Sequence, residues 1–119
     1  TISPVIVFKD GKPWVATGTP GGGTIIASMV QMLSNLIDFN LNIAEAAERP
    51  RIYQAGPDGP LEIEESIPVD MMAALTAKGH TVRRSMIIGS LQSIMIGPDG
   101  VFYGAADTRR PDAEAVPVK

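Results

Sequence analysis

The sequence predicts an α+β fold of antiparallel hairpins and about three helices, and three observations carry that prediction. Short apolar runs are bracketed by hairpin-type turns at Asp10-Gly11 and Pro98-Asp99-Gly100. Between them the hydrophobic period changes to helical over Thr24–Phe39. The order that results, hairpin, two helices, hairpin, helix, hairpin, is that of an α+β layering and not of a doubly wound parallel sheet.

Each element has a local reason. Pro4–Lys9 opens as a strand, and Pro13–Thr17 continues it after the Asp10-Gly11 turn, with Pro13 where a missing N–H costs little. Gly18-Thr19-Pro20-Gly21-Gly22-Gly23 then places four glycines in six residues, a loop that allows positive φ and close approach of bare backbone. In the first helix Ile25, Met29, Met32, Leu33, Leu36 and Ile37 share a face that Ile26 and Val30 widen. A helix so apolar is expected to be buried between layers. Asn40 is a left-handed terminator, and Asn42-Ile-Ala-Glu45 a capping-box-like start for a second helix that stops before Pro50. Arg51–Gln54 and Leu61–Glu64 read as strands about the turn Gly56–Pro60. Pro68 at N1 and Gly79 at C′ bracket a third helix whose inner face holds Met71, Met72 and Leu75. His80–Arg84, Leu91–Ile96 and Val101–Gly104 complete the strands. Residues 1–106 form the body on this reading, and 107–119, rich in Pro, Ala and charge, a loosely ordered tail.

Composition removes several classes of function. Ten basic against 13 acidic residues give a net charge of −3, the wrong balance for a nucleic-acid surface. Aromatics are 5%, so base stacking is poorly supplied. The absence of cysteine rules out disulfides and thiolate chemistry, and His80, the single histidine, cannot build an imidazole metal site. Neither a metal nor a cofactor is expected. No apolar run is long enough to span a membrane, and no signal peptide is visible at Thr-Ile-Ser-Pro. The true N-terminus is expected upstream.

Few residues suggest chemistry. Glu62, Glu64 and Glu65 read as a solvated strand face, and His80 as a surface residue after a helix stop. The Pro20–Gly23 loop is different, because free N–H groups at a helix N-terminus can receive an anion or a developing oxyanion. Taken alone it is a weak signal, since a glycine run before a helix is also a common tight turn, and it is no Walker loop, since no Gly-Lys-Ser/Thr follows.

At this loop the sequence resembles the small subunit of the gamma-glutamyltransferase (gamma-glutamyltranspeptidase) family. The resemblance runs through Ser3–Pro13, Thr17–Gly22, Asn42–Ala46, Arg49–Arg51, Gly89–Gly100 and Tyr103–Arg109, in order and at matching spacing. It implies an N-terminal-nucleophile hydrolase of αββα layering, matured by autocleavage. A threonine at the start of its small subunit attacks γ-glutamyl amides such as glutathione and passes the acyl group to water or an amine. It further implies that Gly21 and Gly22 give their N–H groups to the oxyanion hole. Thr1 takes the place of the second of two serines that bind the donor α-carboxylate. It is expected to be a truncation point and not the nucleophile, which belongs upstream. Arg51 and Arg109 match family arginines, read either as residues that orient loops or subunits near the site or as surface salt bridges. Gly56–Pro60 and Ser85–Ile88 depart from the commonest pattern, so acceptor choice stays open. The implied partners are the rest of the parent chain and a γ-glutamyl substrate, with self-association of the isolated piece through unpaired edges and apolar surface. The resemblance implies a periplasmic or secreted location, and a cytoplasmic one also fits. The alternatives are a related acylase of the same fold and a non-catalytic binding domain.

Overall fold

The computed structural model describes residues 3–85 and 87–117. Strands β1 (Val5–Lys9) and β2 (Lys12–Gly18) form an antiparallel hairpin about Asp10 and Gly11, both at positive φ. Strand β2 pairs with β6 (Gln92–Ile96), and β6 with β7 (Phe102–Ala106), to give an antiparallel sheet of order β1-β2-β6-β7. The period of two sorts its faces. Val15, Thr17, Ser93 and Ala105 are buried toward the helices, whereas Ile6, Ile94 and Phe102 are exposed on the opposite face.

Helices α1 (Ile25–Ile37) and α2 (Ile43–Glu48) cover the inner face. Ile25, Met29, Met32 and Leu36 recur at the spacing of one helical stripe and pack with Val15, Ile43, Ala46, Ala47, Leu91 and Ala105 into the main core. The other stripe of α1 is not buried: Ile26 is 77% and Val30 62% exposed. The expected burial between layers therefore holds for one side only, because no other described element of this chain reaches the second. Asn40 takes the left-handed conformation as expected, and Asn42 accepts from the Glu45 N–H at the start of α2 at 2.8 Å.

A smaller sheet of order β3-β4-β5 uses β3 (Ile52–Tyr53), β4 (Leu61–Glu64) and β5 (Val82–Ser85). Its second pairing adds to the expected hairpins, which left the partner of the His80–Arg84 strand open. Strands β4 and β5 run parallel, with α3 (Val69–Ala77) as the crossover between them. Pro68 is the N-cap residue and not N1. At the other end the N–H of Gly79 reaches the Thr76 carbonyl and that of His80 the Leu75 carbonyl, the paired closure of a Schellman turn. Met72 and Leu75 pack on Leu61, Ile63 and Ile67, but Met71 points outward, 54% exposed. The Gln31 side chain bridges the two halves, accepting from Ile52 N–H and donating to its carbonyl as a strand neighbour would.

The boundary of the tail also moves. Asp107 is fully buried, and Asp107 and Arg109 are bonded into the body, so a loose tail does not begin at residue 107. Among the described residues no helix is long and apolar enough to cross a membrane.

Candidate functional site

The glycine loop leaves the end of β2 and turns into α1 through a single 3-10 turn, Gly22–Thr24. Gly21 sits at φ 142°, ψ 8°, and Gly22 at φ 57°, positions that side chains occupy at a cost or not at all. A Cβ on Gly21 would lie 2.4 Å from Thr24 Oγ1, whereas one on Gly22 would meet nothing within 4 Å. Thr24 closes the turn by donating its N–H and hydroxyl to the Gly21 carbonyl, at 3.1 and 3.0 Å. The N–H groups of Gly21 and Gly22 have no acceptor among the described residues. The result is two adjacent free donors at the positive end of a 13-residue helix, an arrangement suited to an oxyanion.

Behind this loop lies the turn Ile88–Leu91. Thr19, buried, accepts from the Ser90 N–H at 2.7 Å and donates to the Pro20 carbonyl at 2.7 Å. The Cα of Gly89 stands 3.7 Å from the place a Cβ would take on Gly21. The turn is held from its other side by four charged residues.

Arg51 is 2% exposed and donates to Asp107 at 2.5 Å, to the Ile88 carbonyl at 2.7 Å and to the Ala47 carbonyl at 2.5 Å. Asp107 also accepts from Leu91 N–H at 2.8 Å and from Arg109. Arg109 forks onto both oxygens of Glu64, at 2.7 and 2.5 Å, and Glu64 in turn accepts from the N–H groups of Arg51 and Ile88. Two cations and two anions thus share one buried site in which every carboxylate oxygen accepts two hydrogen bonds. Burial opposes the ionised forms of Glu64 and Asp107. For Glu64 the Arg109 guanidinium and two N–H donors outweigh it, and for Asp107 the Arg51 guanidinium and two N–H donors do, so both carboxyls sit below their ordinary values. Burial lowers Arg51, while Glu64 and Asp107 hold Arg109 above the usual arginine value against its own burial.

Gly21 and Gly22 are thus placed together as a pair of donors, and Arg51 and Arg109 are placed together behind them. The arginines are not surface salt bridges. Thr1 lies outside the described residues. Glu64 leaves the solvated face expected for it, being 3% exposed, whereas Glu65 is exposed and His80 stays at the surface. The sequence offers Glu64 only as part of a solvated face, Thr19 and Ser90 only as members of the glycine loop and the family match, and Asp107 only as the start of the tail and within the Tyr103–Arg109 match. Among the described residues no cluster of His, Cys, Asp or Glu could hold a metal ion.

The fold matches N-terminal-nucleophile hydrolases of known structure. A mutant gamma-glutamyltranspeptidase of Helicobacter pylori superposes with a TM-score of 0.83 at 38% identity, over 92% of this chain and 61% of that one. The chain belongs to the gamma-glutamyltranspeptidase family, whose model matches residues 1–117. The glutathione hydrolase proenzyme of Escherichia coli (strain K12) is 46% identical over 112 residues, covering 94% of this chain and 19% of that protein. An acylase ACY 1 proenzyme of Pseudomonas sp. (strain V22) is 40% identical over 119 residues, 99% of this chain and 20% of that protein. The chain spans about a fifth of the length of these curated relatives.

Proposed function

We propose that this chain is the part of a gamma-glutamyltranspeptidase that supplies the oxyanion hole, through the N–H groups of Gly21 and Gly22. The observation that carries the reading is the pair of adjacent positive-φ glycines with free N–H groups at the start of α1. When a nucleophile adds to an amide carbonyl, the oxygen gains charge, and two fixed donors at about 3 Å stabilise it more than they stabilise the ground state. The nucleophilic threonine and most donor contacts belong to the remainder of the protein. A γ-glutamyl amide such as glutathione is the substrate, and water or an amine takes the acyl group. Thr1 helps to bind the donor carboxylate. Arg51 and Arg109 hold the turn Ile88–Leu91 behind the loop. The exposed apolar face around Ile6, Ile94 and Phe102 docks on the rest of the protein, and drives self-association when that is missing.

Gly22→Ala in the full-length protein tests the reading. The added methyl has room, so the protein should fold while kcat falls about a hundredfold, with a much smaller change in KM. Full kcat in that variant would leave the loop as a turn and nothing more. The acylase relative at 40% identity supports a second reading, an acyl amide without the γ-glutamyl amino group as substrate. Assaying a γ-glutamyl anilide beside the matching glutaryl anilide separates the two. By itself the 119-residue chain should turn over neither.

A further inference from the structure

Ser28 lies near the start of α1 and is completely buried, yet its hydroxyl has no hydrogen-bond partner among the described residues. A serine inside a helix usually bonds back to the carbonyl four residues earlier, and a buried hydroxyl without a partner costs stability. Alanine at this position would avoid that cost and favour the helix. The neighbourhood supplies a reason for the oxygen. A Cβ on Gly89 would lie 2.7 Å from Ser28 Oγ and 2.9 Å from Thr19 Oγ1. The two oxygens therefore straddle the Cα–H of Gly89, on the side where any other residue would carry its side chain. Gly89 is at φ 69°, and its Cα lies 3.7 Å from the point that a Cβ on Gly21 would occupy, while Thr19 also donates to the Pro20 carbonyl, which belongs to the same peptide unit as the Gly21 N–H.

We infer that Ser28 is a positioning residue of the oxyanion loop: with Thr19 it seats the Gly89 Cα–H, and so helps to fix the Thr19 hydroxyl that ties Ser90 N–H to the Pro20 carbonyl, the peptide unit that carries the Gly21 N–H. The contact is of the weak C–H···O kind, so its effect comes from fixing a small clearance in a packed region and not from its own strength. This inference rests on the oxyanion-hole reading. Its signature is a loss of rate without a loss of stability.

The test compares Ser28→Ala, Ser28→Thr and Gly22→Ala in the full-length protein by kcat, KM, Tm and amide exchange at Ser90. Ser28→Ala is expected to lower kcat about tenfold, in line with the sensitivity of rate to sub-ångström misplacement. Its KM should stay near wild type, its Tm should hold or rise, and Ser90 should exchange faster. Ser28→Thr, which keeps the oxygen, should recover most of the rate. Wild-type kcat in Ser28→Ala overturns the inference, as does a joint fall of kcat and Tm, or an equal rate loss in a folded Ser28→Thr. If Gly22→Ala keeps full rate, the oxyanion reading itself has failed. If Gly22→Ala loses rate and Ser28→Ala does not, only the role of Ser28 has.

Discussion

The glycine loop and the charged cluster behind it solve opposite problems within a few residues of each other. In the cluster, four ionised side chains are buried together and each carboxylate oxygen accepts two hydrogen bonds. In the loop, two backbone donors are left free and the chain is held at angles that most residues avoid. Satisfaction gives rigidity, and on the proposed reading the free donors are what a substrate oxygen meets. The turn Ile88–Leu91 touches both, so the rigid region can serve as the anvil for the reactive one.

Breaking the cluster should have the largest effect. Arg51→Met removes one of the two cations on Asp107, so that Oδ2 keeps only the Leu91 N–H and Arg109 alone balances the buried charge, a loss of about 3 kcal/mol that thermal or urea denaturation will register. Activity should fall with it, since Ile88 loses the donor to its carbonyl. A stable Arg51→Met variant would show that Arg109 alone is enough to balance Asp107.

Acid attacks the same cluster from its other side. Glu64 and Asp107 both have folded pKa values below their unfolded ones. Their contribution is therefore complete above the unfolded values, about 4.3 for Glu and 3.9 for Asp, and is lost as pH falls from there toward the depressed folded values. Denaturation midpoints should stay flat from pH 7 to about 5 and drop below that. Asp107→Asn should be less stable at neutral pH and show a shallower acid slope.

In the loop the balance reverses. Gly22→Ala should cost only about 1–2 kcal/mol, the strain of a left-handed alanine, while removing most of the rate. Gly21→Ala should cost more, because its methyl would meet Thr24 Oγ1 at 2.4 Å. Equal stability losses at the two positions would contradict the asymmetry of the loop. At the small end lies the exposed pair Arg83 and Glu62. Arg83→Ala should change stability by less than about 1 kcal/mol, and less still in high salt.

How much of this was legible in the sequence follows from the range of the interactions. The Asp10-Gly11 turn, the Asn42 cap and the Gly79 closure depend on residues within five positions of each other, and the sequence carries them in full. The glycine loop was legible for the same reason, together with the family resemblance. The parallel pairing of β4 with β5 was not, because strand direction is settled by how α3 packs and not by either strand's composition. Glu64 was misread because an acidic residue on a strand defaults to solvent, and its partner Arg109 lies 45 positions away. Asp107 and Arg51 are 56 apart. The unburied stripe of α1 was misread in the opposite direction, since apolar composition asks for cover without saying which chain segment provides it.

The β4–α3–β5 crossover has a consequence for motion. Its core is three buried residues, Leu61, Ile63 and Ile67, and α3 contributes none that is fully buried. Such a unit opens at a lower free energy than the sheet that carries Val15 and Leu91. Glu64, at the end of β4, is pinned by Arg109 to the chain's last segment. Amide hydrogens of α3 should therefore exchange early, as one cooperative group, while those at the foot of β4 persist. The ion pair marks the hinge line at which local unfolding stops.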